Sequence, residues 1–513
     1  MSNFFQDVFG DVKKWMESWS NRALLGVLFI SFLAHSFNMF NYPLYLGDEG
    51  IYVEQAWAVV REAKVSPYTF WYDHAPGGWF LIALWSFLTG GFFTFGMSIN
   101  SGRIFMLLIH LASTGLLFQV TKKLSGSIFP AIIAGLIFSL SPLGLYYQRM
   151  VLLDNIMVFW ILISFYLILF ENQRLTNLIL SGIFFAVAIL TKENAIFFFP
   201  IMIYLLYKRK NQYNFRFALP GWVFSFGSVI SLYVLYSLLK GEFLPPNLIT
   251  AFSAPLSDPN QRPSLIGTFL WQMSRSGGMV WDSQSQFQQY LKGDWLFRDP
   301  FLIVSGAAIS IINFFLGFKY KSLFIASIFS LSYLIYIIKG SVILPFYIVP
   351  LLPFFALNIG LFIDKIASFL PEIMKFSLIG GFIVLLAFGN IVASRDAYLL
   401  NLTGLQIASF NWVKENISPD KFLLIDDNLW VDFRDGRKKY PLAHSHWKVA
   451  RDPDVNEKIL HMNYKNIDYL IMSPNMAQWL EDGTLSKDAY NNSTVIKTFT
   501  LGNTTVEIRQ VQK

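Results

Sequence analysis

Long apolar runs recur from the N-terminus to about Arg395 and then stop. That pattern limits the chain to a membrane-embedded body followed by a smaller polar region. Hydrophobic residues make up 54% of the chain and charged ones 14%, against the ~25% charged share of a soluble domain. There is no cysteine, which excludes disulfides, thiolate metal sites and cysteine nucleophiles. The formal charge of +7 fits Lys and Arg placed in cytoplasmic loops and gives no reason to expect a nucleic-acid partner.

The first apolar segment, 23–40, follows Lys13, Lys14 and Arg22 and runs into Asn41-Tyr42-Pro43-Leu44 without a small-residue cleavage site, so it reads as a retained span. Upstream, Phe5, Phe9, Val12, Met16 and Trp19 recur at helical spacing, either as a helix lying on the cytoplasmic face or as a frayed amphipathic tail. Further candidate spans are 103–121, 127–145, 155–171, 177–191, 194–208, 217–240, 299–318, 322–339, 342–363 and 374–394. Lys122 with Lys123, Arg174, Lys208-Arg209-Lys210, Lys319 with Lys321, and Lys365 fall in alternate short loops. Those loops are expected inside, leaving Asp48, Glu49, Asp154 and the 241–298 loop outside. Parity then requires the stretch 77–96, interrupted by Trp79, Trp85, Gly90 and Gly91, to be interfacial or re-entrant. The expectation is a polytopic α-helical protein of the plasma (inner) membrane with about eleven spans, its N-terminus cytoplasmic.

Two domains are predicted: a transmembrane domain over 1–398, with external loops 41–102 and 241–298, and a small external or periplasmic α/β domain over 399–513. In the latter, 422–425 and 467–472 read as strands, 494–501 and 504–511 as a hairpin around Gly502-Asn503, and 405–414 and 476–480 as helices. No metal-ligand cluster is evident there. His444 and His446, at i and i+2, would share one face if the segment were a strand, but as two histidines in a polar loop they are expected to be solvated rather than liganded.

Charged residues gather at the outer boundary. Asp48 and Glu49 open the first external loop, and Tyr72-Asp73-His74-Ala75-Pro76-Gly77-Gly78 closes it. Arg149 and Asp154 flank the next external edge, and Lys339 ends a further span. Segments 177–191 and 194–208 flank Thr191-Lys192-Glu193-Asn194, and each offers only about 22 Å of helix against a ~30 Å core. Lys192 is therefore expected at depth beside a polar cavity, or else snorkelling at a turn. Helix capping explains Asp48 or Asp154 singly. It does not explain two acids and several cations at one membrane level.

The acidic pair after the first span, the His/Pro turn, Arg149 five residues before Asp154 and the Thr-Lys between short spans resemble, in their order, the C-type superfamily of membrane glycosyltransferases. Among its branches, the protein O-mannosyltransferases and lipid A aminoarabinose transferases are the nearest in pattern. The stretch Gly340 to Leu357, with Pro345, Tyr347, Pro350 and Pro353, is similar to that family's late helix. His74-Ala75-Pro76-Gly77 departs from the His-Pro-Pro of many relatives, which leaves the sugar open.

The resemblance implies transfer of a sugar, with inversion, from a polyprenyl-phosphate carrier to a hydroxyl on an acceptor protein, lipid or glycan, with membrane lipids as surroundings. Asp48 is the expected general base, Glu49 the orienter of the acceptor or of Asp48, and Asp154 a positioning acid. Arg149, Lys192 and Lys339 are the candidate cations for the phosphate, and His74, Tyr347 and Arg275 the candidate substrate contacts. Because no diphosphate leaves, a metal is not obligatory, although His74 with Asp73 could hold one. The 241–298 loop, with Arg262, Arg275, Trp271, Trp281, Trp295 and a Gly277-Gly278 hinge, is expected to close over the donor. Two other classes remain open. A transporter or flippase also carries charges in a membrane cavity, but no internal repeat is visible. A membrane-anchored scaffold would need none of the charged cluster.

Overall fold

The computed structural model describes residues 18–68, 72, 74–169, 174–208, 215–245, 264–474 and 476–513. The upstream amphipathic segment through Met16, Asp73, Arg209, Lys210 and Arg262 lie outside the described residues.

The body is a bundle of mostly apolar helices, with the charged α2 among them: α1 (Trp19–Ser36), α2 (Gly47–Glu62), α3 (Gly77–Leu88), α4 (Ser98–Ser125), α5 (Phe129–Leu140), α6 (Leu153–Ile168), α7 (Leu175–Thr191), α8 (Phe199–Lys208), α9 (Phe215–Leu239), α10 (Pro300–Leu316), α11 (Lys321–Ile338), α12 (Leu352–Ala367) and α13 (Glu372–Ala393). Five described helical segments are long and apolar enough to cross a membrane: 98–125, 217–239, 321–338, 345–367 and 372–393. A sixth crossing is formed if 286–298 and 300–316, bent by 113°, count as one. Helices α3, α5, α6 and α7 are apolar but shorter. The expectation of about eleven crossings counts several such helices, so helix length by itself supports five or six. At 12 residues, α3 is about 18 Å long and does not reach across the hydrocarbon core on its own.

After α14 (Thr403–Asn416) comes a five-stranded sheet of order β2-β1-β3-β5-β4. Strand β1 (Leu423–Ile425) pairs in parallel with β2 (Ala443–Ser445) and with β3 (Tyr469–Met472). Strands β4 (Ser493–Leu501) and β5 (Thr504–Val511) form the hairpin expected around Gly502-Asn503, and β5 runs antiparallel to β3. Strand β2 escaped the sequence reading because Ala443-His444-Ser445 lacks an apolar run and becomes a strand only by pairing with β1.

The α/β region is riveted to the first loop. Gln406 exchanges two 2.9 Å hydrogen bonds with the backbone of Tyr45. Asp432 accepts from Ser98 N at 3.0 Å and Ser98 Oγ at 2.6 Å, and Asp435 accepts from Trp57 Nε1 and Arg61 Nε. Lys448 faces Glu54 at 3.7 Å with both side chains sealed from solvent. The expectation of a solvated side chain is overturned for His444. His444 is buried, its ring stacked on Phe422, and burial lowers its pKa to about 3.

Candidate active site

Asp48 and Glu49 enter α2 in its first turn, yet their surroundings differ completely. Leu46, not Asp48, occupies the N-cap, and Glu49 closes the turn by accepting from Leu46 N at 3.1 Å. The Glu49 carboxylate also receives Arg103 Nη2 at 2.7 Å, Arg103 Nε at 3.1 Å and Val151 N at 2.9 Å. Both side chains of this ion pair are fully buried. A carboxylate with its lone pairs so occupied has none left for an acceptor, so the expected orienting role of Glu49 is replaced by a structural one.

Asp48 remains partly accessible, and among the described residues none donates it a hydrogen bond. Burial raises its pKa to about 6, the positive charge of Lys192 and His74 opposing and Asp427 and Asp426 reinforcing the rise.

Lys192 is supplied by a break in the helix. It adopts extended geometry at the end of α7, and a 3-10 turn, Glu193–Phe198, follows before α8 begins. Its side chain is 2% exposed, and Nζ lies 2.6 Å from Asp154 Oδ2. The ammonium also sits 4.1 Å from the ring centre of Tyr347 and 4.9 Å from that of Phe346. Such a cation is held at depth by an anion and two aromatic faces. Glu193 accepts from Ala75 N and pairs at 3.0 Å with His74 Nδ1, which fixes the His/Pro turn against the helix break. Close packing makes this possible: a Cβ on Gly77 would lie 2.7 Å from Leu190 O.

The remaining expected residues divide. Arg275 bonds Gln272 at 3.1 Å, and its charge reaches Tyr336 and Tyr347. Lys339 is exposed, its Nζ 5.5 Å from the Tyr336 ring, at the rim. Arg149 is elsewhere. It is 2% exposed and donates to Ala34 O at 2.6 Å, Ala397 O at 3.0 Å and Tyr42 O at 3.4 Å. Its guanidinium ties the end of α1 to the backbone at Tyr42 and Ala397, so it serves backbone carbonyls where a phosphate contact was expected. From Ser264 on, the long loop is joined to the 340–345 segment by Gly277 N donating to Gly340 O at 2.8 Å, Ile343 N donating to Gln286 Oε1 at 2.9 Å and Trp295 Nε1 donating to Pro345 O at 2.7 Å.

Two features were missed. Glu193 adjoins Lys192 in the tetrad already singled out, and its charge was the available signal. Asp426 and Asp427 lie beside α2, where a Cβ on Gly47 would stand 3.0 Å from Asp426 Oδ1 and one on Gly50 2.1 Å from Asp427 O. Nothing in the local sequence connects them with Asp48.

Residues 73–239 match the family model described as dolichyl-phosphate-mannose-protein mannosyltransferase. No curated protein matches the chain significantly by sequence search. The structure is similar to that of ArnT from Cupriavidus metallidurans bound to undecaprenyl phosphate, at 14% identity and a TM-score of 0.59, covering 96% of this chain and 98% of that one. It is also similar to the archaeal oligosaccharyltransferase AglB from Archaeoglobus fulgidus in complex with an inhibitory peptide and a dolichol-phosphate, at 11% identity and a TM-score of 0.58, covering 96% and 74% of the two chains. The chain thus has the fold seen in ArnT and AglB, and within it residues 73–239 are similar to the dolichyl-phosphate-mannose-protein mannosyltransferase model.

Proposed function

We propose that the chain moves a sugar from a polyprenyl-phosphate carrier to a hydroxyl acceptor at the outer face of the membrane, with inversion and with Asp48 as general base. One observation carries this reading. Asp48 is the carboxylate of the site that no hydrogen bond occupies among the described residues, and it stands beside the buried Lys192–Asp154 pair. An alcohol needs its proton taken as it attacks, and a partly buried carboxylate with a pKa near 6 takes it at neutral pH. The carrier leaves as a phosphate, whose charge Lys192 meets in a water-poor recess. Asp154 orients Lys192, Tyr347 walls the recess, and Glu193 holds His74 toward it. Arg275 and Lys339 guide the phosphate at the rim.

In this reading the polytopic body, 1–398, houses the reaction in the inner membrane, with the N-terminus cytoplasmic. The 399–513 region sits outside, against the catalytic loop, and the 241–298 loop closes over the carrier. The shorter helices complete about eleven crossings as broken spans. Purified protein offered a panel of polyprenyl-phosphate sugars with hydroxyl acceptors should release polyprenyl phosphate with at least one sugar. Asp48→Asn should lower that rate by ~10²–10⁴. No release with any donor, or an undiminished Asp48→Asn rate, would remove the reading or its base.

A further inference from the structure

We infer that Asp426, Asp427 and His446 form a binding site for one divalent cation of the manganese or zinc class, at the junction of the α/β region with α2. Their donor atoms all lie within 4.8 Å of one another. Ligands sharing one ion at bonds of about 2.1 Å stand up to about 4 Å apart, so a slight contraction closes the cluster.

Topology brings the three together. Asp426 and Asp427 immediately follow β1, and His446 immediately follows β2. The two strands are parallel and in register, Ile425 opposite Ser445, so both chains leave the sheet at the same carboxyl edge. That edge is where open α/β sheets place their ligands.

Neutral groups donate hydrogen bonds to both carboxylates. Asp426 accepts from Asp427 N at 2.7 Å, from Asn428 Nδ2 at 3.2 Å and from Ser473 Oγ at 2.5 Å. Asp427 is nearly inaccessible, and Trp447 Nε1 bonds its two oxygens at 3.1 and 3.0 Å, orienting the carboxylate as outer-shell donors do around metals. His446 Nδ1 is sealed from solvent and has no hydrogen-bond partner among the described residues. The two adjacent carboxylates also lie within electrostatic reach of Asp48. Lys448 lies near Asp427, but its ammonium is directed to Glu54, 3.7 Å away, and packed on the rings of Trp447 and Tyr68. Two carboxylates and an imidazole favour a transition-series ion over Mg²⁺ or Ca²⁺, whose ligands are all oxygen. Bound there, the ion pins the sheet to the start of α2 and adds positive charge next to Asp48.

The inference is independent of the sugar-transfer reading and is tested without it. Full-length protein in detergent, stripped by a chelator, is titrated with Mn²⁺, Zn²⁺ and Mg²⁺ by calorimetry, and with Co²⁺ by absorption. One Zn²⁺ or Mn²⁺ per chain is expected, with Mg²⁺ binding more weakly, and a Co²⁺ spectrum that shows nitrogen ligation. His446→Gln and Asp427→Asn should each weaken binding by more than about tenfold, whereas Asp48→Asn should leave it in place. Metal-free melting of each variant checks folding. If Asp427→Asn does not fold, His446→Gln and the wild-type Co²⁺ spectrum decide. Absence of saturable binding, or binding indifferent to His446→Gln, would overturn the site. So would binding lost in Asp48→Asn alone, which would move the ion to the first loop.

Discussion

Glu49 and Arg103 meet at 2.7 Å with both side chains wholly buried, one residue away from an Asp48 carboxylate that receives no hydrogen bond among the described residues. Two neighbouring acids in one helical turn thus differ in their surroundings, Glu49 locking the first loop onto α4 and Asp48 remaining partly accessible.

Removing one partner of a buried ion pair leaves the other charge stranded. Glu49→Ala should therefore destabilise the protein by about 3–5 kcal/mol. Denaturation in detergent should show the loss, while transfer per folded molecule stays near wild type. A stable Glu49→Ala protein with weakened acceptor affinity would return Glu49 to the site.

The pH dependence follows from Asp48, which faces Lys192, His74, Asp426 and Asp427 and lies within electrostatic reach of Tyr52, Tyr290 and Tyr347. With its pKa raised to about 6, Asp48 is protonated below that pH and cannot accept a proton. The kcat/KM profile should be level above pH 6 and fall about tenfold per unit below it. A profile flat across that range would exclude Asp48 as the titrating base.

Lys192→Met should raise the KM for the carrier more than about tenfold, because a charge-assisted contact in a dry recess is worth more than one at an open surface. The KM for the acceptor should hold. Since the substitution strands the buried Asp154, the paired variant Lys192→Met with Asp154→Asn should recover stability without recovering carrier use. Loss confined to acceptor affinity would place Lys192 elsewhere in the reaction.

Arg149 serves backbone carbonyls, so Arg149→Met should cost roughly 1–3 kcal/mol for each acceptor left unpaired. The effect belongs in melting temperature and yield. A raised carrier KM at unchanged stability would restore the phosphate assignment.

Much was legible because its causes are local. Apolar runs identify helices that must satisfy their own backbone in lipid, and the alternation around Gly502-Asn503 identifies the hairpin. The helix break that carries Lys192 was readable from the two short apolar segments that flank it.

What only the tertiary structure decided was how identical charges are used. Asp48 and Glu49 are adjacent acids of one helical turn until Arg103, 54 residues on, takes one of them. Arg149 looked like Lys192 in sequence, yet three carbonyls converge on the former and an acid with two aromatic faces on the latter. Asp426, Asp427 and His446 meet because parallel strands share a register, and His444 is buried because β2 pairs inside the sheet. Hydrophobic pattern sets which segments enter the membrane, a property summed along the chain. Ion pairing and ligand geometry depend on side chains distant in sequence, and packing alone brings those within reach.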